Sequence, residues 1–338
     1  MRFSIVIPAR VFTEPLKNTL KRIEELEYQD YETIVVLDYE DHLNRENYPK
    51  VKFIISGVNT PGNKRNIGIK ESSGDFIAFL DDDAYPDNNW LINASRIFIE
   101  NPQLIAVCGP SITPLESDFL QLISGSIFES FLTSGPTNFR HQIAEERYVD
   151  DYPSVNLIVR KFCLDEIGGF DEKFWPGEDT KLCRDLILKF KQKIFYSPKL
   201  IVHHFRRSVY HPHLIQVSRY AFHRGLFVKL FPENSLKLSY FIPSIFVANL
   251  ILSFFYLLTF NSMLLPSIVL LNLYLFFLIY EGYKIYKKKG SVAYVLLTLV
   301  GIFLTNFIYG VYFLIGLFSK PKTMLRELDL INGRYLKG

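Results

Sequence analysis

Cysteine is scarce in this sequence, and neither sign of charge is in excess. The 338 residues include 3 cysteines, and 38 Lys and Arg residues stand against 35 Asp and Glu residues. The cysteines are odd in number and lack the spacing of a metal site, so we expect reduced core residues in a chain that faces the cytosol: Cys108, Cys163 and Cys183. The even charge balance, and the lack of any run that resembles an RNA or DNA module, argue against a nucleic-acid partner.

No stretch near residue 1 resembles a signal peptide, because residues 1–4 lead directly into a predicted short apolar strand. We therefore expect the first part of the chain to stay in the cytosol. The length allows about two domains.

Long apolar runs are confined to the last third of the chain. Residues 238–280 form 43 consecutive positions without a charge. As a helix this stretch would extend about 65 Å, twice the ~30 Å hydrocarbon core of a bilayer, so it fits a hairpin of two spanning helices with a break near residues 259–266. A second charge-free stretch, residues 290–319, fits either one tilted crossing or a bent, partly re-entrant one, because it is interrupted by Gly301, Asn306, Gly310 and Gly316.

We predict an integral membrane protein with a membrane region of two to three helices at residues 238–320. The positive-inside rule places residues 284–289, with three consecutive lysines, on the same side as the first part of the chain. The tail, residues 321–338, is basic as well. A simple third crossing would put that tail on the opposite side, so we expect either a re-entrant last segment or an exception to the rule.

The first 205 residues alternate between short apolar runs and amphipathic stretches, which predicts one α/β domain at 1–205. Such alternation favours a mostly parallel sheet covered on both faces, with ligands at the carboxyl ends of its strands. The predicted strands are residues 3–7, 33–37, 51–55, 76–80 and 104–108, and the predicted helices are residues 13–29, 62–72 and 87–100.

Three consecutive carboxylates follow the apolar run at residues 76–80. Alternation along a strand would send Asp81 and Asp83 to one side and Asp82 to the other. Oxygen ligands of this kind suit Mg2+ or Mn2+ carrying a diphosphate, and three acids at the end of a buried strand are unfavourable unless a cation neutralises them. The alternative is a solvated acidic turn in which Asp87 caps the next helix.

A second acidic pair, Glu178 and Asp179, precedes apolar residues at helical spacing. Both acids should lie in the first turn of a helix, where the helix dipole favours anions, so we expect a base there to keep a low pKa. Such a base can still act, because an attacking hydroxyl loses its proton late in bond formation. The alternative is that one of the acids only caps the helix.

Together these motifs resemble the family 2 glycosyltransferases with a nucleotide-diphospho-sugar-binding fold. The resemblance covers about the first 205 residues, with five motifs in the expected order: FSIVIPAR, TIVVLD, GNKRNIGIKESSGDFIAFLDDD, NLIVRKFCLDEIGGFDEKFWPGEDTKLCRDL and PKLIVHHF. It implies an α/β domain with a mostly parallel sheet of the nucleotide-diphospho-sugar transferase type, followed here by the helical membrane region.

The resemblance also implies residue roles. Asp38 would hold the nucleobase, Arg65 would lie near the diphosphate or the base, and Asp179 would be the catalytic base, with Glu178 beside it. Asp81 would touch ribose or sugar, with Asp82 counted among the donor-binding residues, and Asp83 would hold the metal together with Asp81.

Five of the seven histidines lie between residues 203 and 223. A zinc site is not favoured, because His203 and His204 are adjacent on a predicted strand and no cysteine accompanies them. As in several relatives, one of the two would be the third protein ligand of the donor-bound metal, and we favour His204.

Residues 206–237 form a predicted amphipathic segment at the membrane interface. Within it, Gln216, Arg219 and Tyr220 resemble the Gln-x-x-Arg-Trp motif of membrane-embedded family 2 polymer synthases, in which a guanidinium would grip the leaving diphosphate. Basic and aromatic residues also interleave in this segment, as suits an anionic lipid surface. One helix could do both.

These features predict an inverting, metal-dependent enzyme that transfers a sugar from a nucleotide-diphospho-sugar to a lipid-linked or membrane-surface acceptor, from the cytosolic side of the cell membrane. A processive polysaccharide synthase is the main alternative, although two or three spans are few for a polymer channel. A sugar nucleotidyltransferase is a less favoured alternative, because it would need a Gly-rich basic loop after the first strand. Residues 8–14 lack such a loop. A noncatalytic membrane protein would not need all of these acids.

Overall fold

The structure is a computed structural model that describes residues 1–40, 45–260 and 265–320. Its strands are β1 (Phe3–Pro8), β2 (Tyr31–Leu37), β3 (Val51–Ile55), β4 (Phe76–Phe79), β5 (Ala84–Pro86), β6 (Ala106–Cys108), β7 (Ser111–Ile112), β8 (Arg147–Val149), β9 (Leu157–Arg160), β10 (Ile194–Tyr196) and β11 (Val202–His204). Its helices are α1 (Glu14–Glu24), α2 (Pro61–Lys70), α3 (Trp90–Glu100), α4 (Phe119–Glu129), α5 (Phe131–Ser134), α6 (Lys161–Ile167), α7 (Glu178–Phe190), α8 (His211–Leu230), α9 (Pro232–Ser235), α10 (Leu238–Phe260), α11 (Leu265–Lys289) and α12 (Val292–Phe318).

The contacts divide the chain into two compact units. The first contains residues 1–112 and 142–205, and the second contains residues 113–141 together with the described chain from residue 206 onward. Residues 113–141, with α4 and α5, therefore belong to the second unit, although they lie within the predicted domain 1–205.

The first unit is built on an eight-stranded sheet in the order β3-β2-β1-β4-β9-β6-β10-β8. The neighbours β3, β2, β1 and β4 run parallel, and so do β6 and β10, while β9 runs antiparallel between β4 and β6. Every residue of β1 and β4 is buried, which explains why these strands are continuous apolar runs rather than alternating ones. The predicted mostly parallel α/β sheet is confirmed.

Hydroxyl caps and prolines define where the first two helices begin. The Thr13 side chain accepts a hydrogen bond from the backbone N–H of Leu16, and the Thr60 side chain accepts one from that of Asn63. Pro15 and Pro61 stand in the first turns, where no backbone N–H is needed.

A small second sheet, in the order β5-β11-β7, was not predicted. Its strand β5 takes up residues 84–86, and α3 begins at Trp90 rather than at residue 87, with Asn89 rather than Asp87 at its N-cap position. Strand β11 pairs with β5 so that His204 lies opposite Ala84. This pairing brings a histidine to the end of β4.

A buried asparagine joins the two sheets of this unit. The Nδ2 atom of Asn156 donates toward the carbonyl oxygens of Gly109, Pro110 and Leu200 at 2.7, 3.1 and 2.6 Å, and its Oδ1 accepts from Trp90 Nε1 at 3.0 Å. Replacing it leaves several buried polar groups without a partner.

We expect Asn156→Ala to destabilise the first unit by about 3 kcal/mol, because each orphaned buried group costs roughly 1–3 kcal/mol. Trp90 and Trp175 both lie in this unit, so the midpoint of thermal unfolding followed by tryptophan fluorescence reports on it. The matched control is Asn101→Ala, which removes a single side-chain bond to Ile97. Equal midpoints for the two variants would contradict this role for Asn156.

In the second unit, α10, α11 and α12 have 23, 25 and 27 residues and are long and apolar enough to cross a membrane. They confirm the predicted carboxyl-terminal helical region. The break expected near residues 259–266 corresponds to the end of α10 at Phe260 and the start of α11 at Leu265, with residues 261–264 outside the described residues. The predicted basic tail, residues 321–338, also lies outside them.

Helix α12 is continuous from Val292 to Phe318, although the sequence had left a bent form of this segment open. The glycines serve close packing instead, since a Cβ at each would collide with a neighbour. Gly301 meets the Ile127 side chain, Gly310 the backbone of Pro243, and Gly316 the backbone of Phe222.

Candidate active site

Two carboxylates and an imidazole meet at the end of β4. One potential ligand atom from each of Asp81, Asp83 and His204 lies within 4.8 Å of the others. His204 Nε2 is 3.2 Å from Asp83 Oδ1, and the backbone N–H of Phe205 donates to the Asp83 carbonyl oxygen at 3.1 Å. Two hard oxygen donors and one nitrogen donor fit a divalent cation such as Mn2+ or Mg2+.

Asp82 is not part of this group. Burial, followed by the neighbouring carboxylates of Asp83 and Asp81, raises the pKa of Asp82 to about 7. Its backbone oxygen accepts a hydrogen bond from the Thr19 hydroxyl at 3.2 Å, which ties the acidic turn to α1.

Arg65 connects the triple-Asp motif to the Glu-Asp motif. Its guanidinium is 5% exposed and donates from Nη2 to Asp81 Oδ1 at 2.8 Å and from Nη1 to Glu178 Oε1 at 3.0 Å. It also lies 5.5 Å from the centre of the Phe170 ring. Two motifs that are about a hundred residues apart in the chain are thus held together by one fork-shaped cation.

The two acids of the Glu-Asp motif have different surroundings. Gly177 occupies the N-cap position of α7, so neither acid caps the helix. Both oxygens of Glu178 are occupied, one by Arg65 and the other by the backbone N–H of Gly177 at 3.0 Å. Asp179 accepts hydrogen bonds from Ser154, while its Oδ1 has no hydrogen-bond partner in the described part of the chain.

The expectation of a low pKa in this helical turn was wrong. Burial, followed by the charge of Asp179, raises the pKa of Glu178 to about 7. Burial also raises the pKa of Asp179 above its ordinary value, although the Arg65 charge opposes the change. Removal of two adjacent carboxylates from water therefore outweighs the favourable helix dipole.

Asp38 lies directly after β2 and forms a buried ion pair with Lys64. Lys64 Nζ also donates to the Ala9 carbonyl oxygen at 2.7 Å, and Asp38 Oδ1 accepts from the backbone N–H of Asn59 at 3.3 Å. Burial lowers the pKa of Lys64. Lys64 was not among the predicted site residues, although it stands beside Arg65 in the same motif.

The two adjacent histidines have separate partners. His203 Nε2 lies 2.7 Å from Asp87 Oδ1, and its ring stacks on Tyr85 with 4.8 Å between ring centres. The structure therefore places His204, and not His203, beside Asp83.

Gln216 and Arg219 lie on α8 in the second unit. Gln216 Nε2 donates to the Tyr220 hydroxyl at 3.1 Å, and the side chains of Arg219 and Tyr220 are exposed.

Comparisons with known proteins agree with this geometry. Residues 4–168 match the family model described as Glycosyl transferase family 2. The pre-mycofactocin glycosyltransferase of Mycobacterium tuberculosis is 28% identical over 170 residues, which are 49% of this chain and 33% of that protein, so the chain spans about a third of that relative's length. A Methanococcus voltae protein is 24% identical over 243 residues, which are 67% of this chain and 74% of that protein. Its name is dolichyl N-acetyl-alpha-D-glucosaminyl phosphate 3-beta-D-2,3-diacetamido-2,3-dideoxy-beta-D-glucuronosyltransferase.

Among solved structures, a mannosyltransferase from Pyrobaculum calidifontis in complex with GDP-Man and Mn2+ is similar, with a TM-score of 0.56 and 14% identity. The similarity covers 89% of this chain and 86% of that one, and at this identity it shows the fold. The family match, the relatives and the shared fold confirm the resemblance to family 2 glycosyltransferases that the sequence motifs indicated. The similarity to family 2 glycosyltransferases therefore rests on residues 4–168.

Proposed function

We propose that the protein is an inverting, metal-dependent glycosyltransferase that moves a sugar from a nucleotide-diphospho-sugar to a lipid-linked or membrane-surface acceptor, in the assembly of a glycolipid, polysaccharide or glycan. The observation that carries the proposal is the Arg65 bridge. It holds the candidate cation site, Asp81, Asp83 and His204, next to the Glu-Asp pair.

The donor side of the proposed site uses residues of the first unit. Asp38, with Lys64 fixing its carboxylate, would contact the nucleobase, and Asp81 with Asp82 would face ribose or sugar. When bound, a divalent cation held by Asp83, Asp81 and His204 would supply Lewis-acid stabilisation of the charge on the leaving diphosphate, worth several kcal/mol. Arg65 adds a fixed positive charge next to it.

The acceptor side centres on Asp179. Its Oδ1 has no protein donor among the described residues, which suits a base that takes the proton of an attacking hydroxyl. Glu178 is held by Arg65 and Gly177, so we assign it to bracing the loop. One free base fits a single displacement at the anomeric carbon, which inverts its configuration.

Three observations support an acceptor at the membrane. The chain has three helices long and apolar enough to cross a bilayer. A basic helix, α8, precedes them. The name of the Methanococcus voltae relative describes a dolichyl-linked acceptor. We propose that the first unit faces the cytosol at the cell membrane, where a nucleotide-sugar donor and lipid acceptor can meet.

The direct test is transfer of label. Membranes that contain the protein are incubated with a panel of radiolabelled nucleotide sugars, and the lipids are extracted and counted. We expect label from one donor to enter the lipid fraction in a manner that requires Asp179. If no donor labels lipid or membrane-bound glycan above the level of Asp179→Asn membranes, the proposed function is wrong.

Metal dependence gives a separate prediction. We expect EDTA to abolish transfer and added Mn2+ or Mg2+ to restore it, because the diphosphate and the clustered carboxylates need a cation between them. Asp83→Ala should be inactive with or without added metal. The control is Asp165→Ala, which removes an exposed carboxylate from the same unit and should behave as wild type. Full transfer in EDTA would contradict the assignment.

A further inference from the structure

Helix α8 packs alongside α12 over the whole length of α8. The Tyr210 hydroxyl, just before α8, donates to the Leu297 carbonyl oxygen at 2.9 Å, and His213 Nε2 lies 3.0 Å from Thr305 Oγ1. At the far end, Lys229 Nζ donates to the Ser319 carbonyl oxygen. The sequence separations of these three pairs are 87, 92 and 90 residues, and a nearly constant separation means that the two helices are parallel neighbours.

This pairing makes a crossing by α12 unfavourable. If α12 spanned the bilayer, α8 would have to span it too. Helix α8 carries three cations, Arg219, Arg224 and Lys229, and the first and the last of them are exposed. A cation at the bilayer centre costs at least about 2.5–3.5 kcal/mol.

The contacts of α10 and α11 with α12 point the same way. The start of α10 lies at the end of α12, since the Phe241 and Phe313 rings are 4.9 Å apart and the Ser244 hydroxyl donates to the Gly310 carbonyl oxygen at 3.0 Å. The end of α11 lies at the start of α12, where Gly282 faces Leu299.

Three successive crossings would give a different arrangement. In an up-down-up bundle α10 and α12 run in the same direction, so the start of α10 would lie beside the start of α12. Here α12 instead extends from the end of α11 to the beginning of α10. If α10 and α11 form a membrane hairpin, both ends of α12 are therefore on the side where the hairpin enters.

The surface of α12 is divided along its length. One side is buried against neighbouring helices and includes small and polar residues such as Thr298, Thr305 and Gly316. The opposite side is an exposed apolar stripe: Val292, Leu296, Val300, Phe303, Ile315 and Phe318. A helix with one protein-covered side and one apolar free side is suited to lie in a membrane interface.

We propose that α12 lies along the lipid surface instead of crossing the membrane, with its apolar stripe in the leaflet from which α10 and α11 insert as a hairpin. The lysines at 287–289 and Lys320 are then on one side, which satisfies the positive-inside rule that a third crossing would break. The partner of this surface is a bilayer leaflet, whose anionic headgroups would meet these lysines. The inference requires membrane anchoring but not sugar transfer.

Sidedness of labelling tests the proposal. Ser291→Cys and Ser319→Cys flank α12, and the three native cysteines are buried, so a membrane-impermeant maleimide should report the new thiols. In sealed vesicles of known orientation we expect both to react from one side, the same side as Lys199→Cys, an exposed marker on the first unit. Reaction of Ser291→Cys and Ser319→Cys from opposite sides would overturn the proposal.

The depth of α12 in the bilayer is a second measurement, and it does not depend on which side of the membrane the thiols react from. A fluorophore attached at Leu296→Cys, Phe303→Cys or Ile315→Cys is quenched by lipids brominated at defined depths. A surface helix gives the same shallow depth at all three positions, whereas a crossing helix gives the greatest depth at 303. Leu252→Cys, exposed on α10, is the deep reference. A depth at 303 equal to that of Leu252→Cys, with shallow 296 and 315, would contradict the surface position whatever the transfer activity is.

Discussion

Replacement of Asp179 by Asn is expected to lower turnover by about a hundredfold to ten-thousandfold, which is the usual contribution of a general base. The amide keeps the size of the side chain and can still interact with Ser154, but it cannot take a proton. Donor affinity should stay nearly constant, because the donor contacts are assigned to Asp38, Asp81 and Asp83. Steady-state kinetics with the donor identified by lipid labelling, and equilibrium binding of that donor, measure the two quantities.

Glu178→Gln is the matched control. It changes the neighbouring acid of the same helical turn, whose oxygens are already held by Arg65 and Gly177. We expect a smaller loss of turnover, or a higher KM for the acceptor if the loop is loosened. If Glu178→Gln is inactive while Asp179→Asn keeps nearly normal turnover, the two roles are reversed. If both variants turn over normally, the base is a different residue.

Arg65→Met is expected to destabilise the first unit by about 3–5 kcal/mol, the usual effect of breaking a buried ion pair by removing one partner. The substitution keeps most of the side-chain volume, but it leaves Asp81, Glu178 and Asp179 crowded without their shared positive charge. Unfolding of the detergent-solubilised protein, followed by the fluorescence of Trp90 and Trp175, measures the change in this unit.

The control for Arg65 is Arg96→Met, which removes an exposed guanidinium from α3. Arg65→Lys separates charge from shape, because an ammonium group restores the charge but cannot donate to Asp81 and Glu178 as a planar fork. We expect Arg65→Lys to fall between wild type and Arg65→Met. An Arg65→Met protein as stable as Arg96→Met would show that the acids do not depend on this cation.

The parts of the fold that could be predicted are those with a strong local pattern. The buried parallel strands are continuous apolar runs, and the acids that follow them, Asp38 and the triple Asp, mark the strand ends. The small sheet of β5, β11 and β7 could not be predicted, because strands of two or three residues have no measurable periodicity. That sheet is what brings His204 to Asp83.

Long-range effects account for the remaining differences. No sequence pattern indicates that Lys64 pairs with Asp38, or that Ser154 donates to Asp179, since these contacts depend on how distant segments meet. The pKa of the Glu-Asp pair was misjudged for the same reason, because the helix dipole is a local property and burial is not. The glycines of α12 signalled close packing against Ile127, Pro243 and Phe222, and not a break.

The central claim is that Asp81, Asp83 and His204 hold a divalent cation for a nucleoside diphosphate. Its most direct test is calorimetric binding of each common nucleoside diphosphate to the purified protein, with Mn2+ and with EDTA, for wild type and Asp83→Asn. We expect wild type to bind at least one of them much more tightly with Mn2+ than with EDTA, and we expect Asp83→Asn to lose this difference. Binding that is equally tight in EDTA, or an unchanged metal effect in Asp83→Asn, would contradict it.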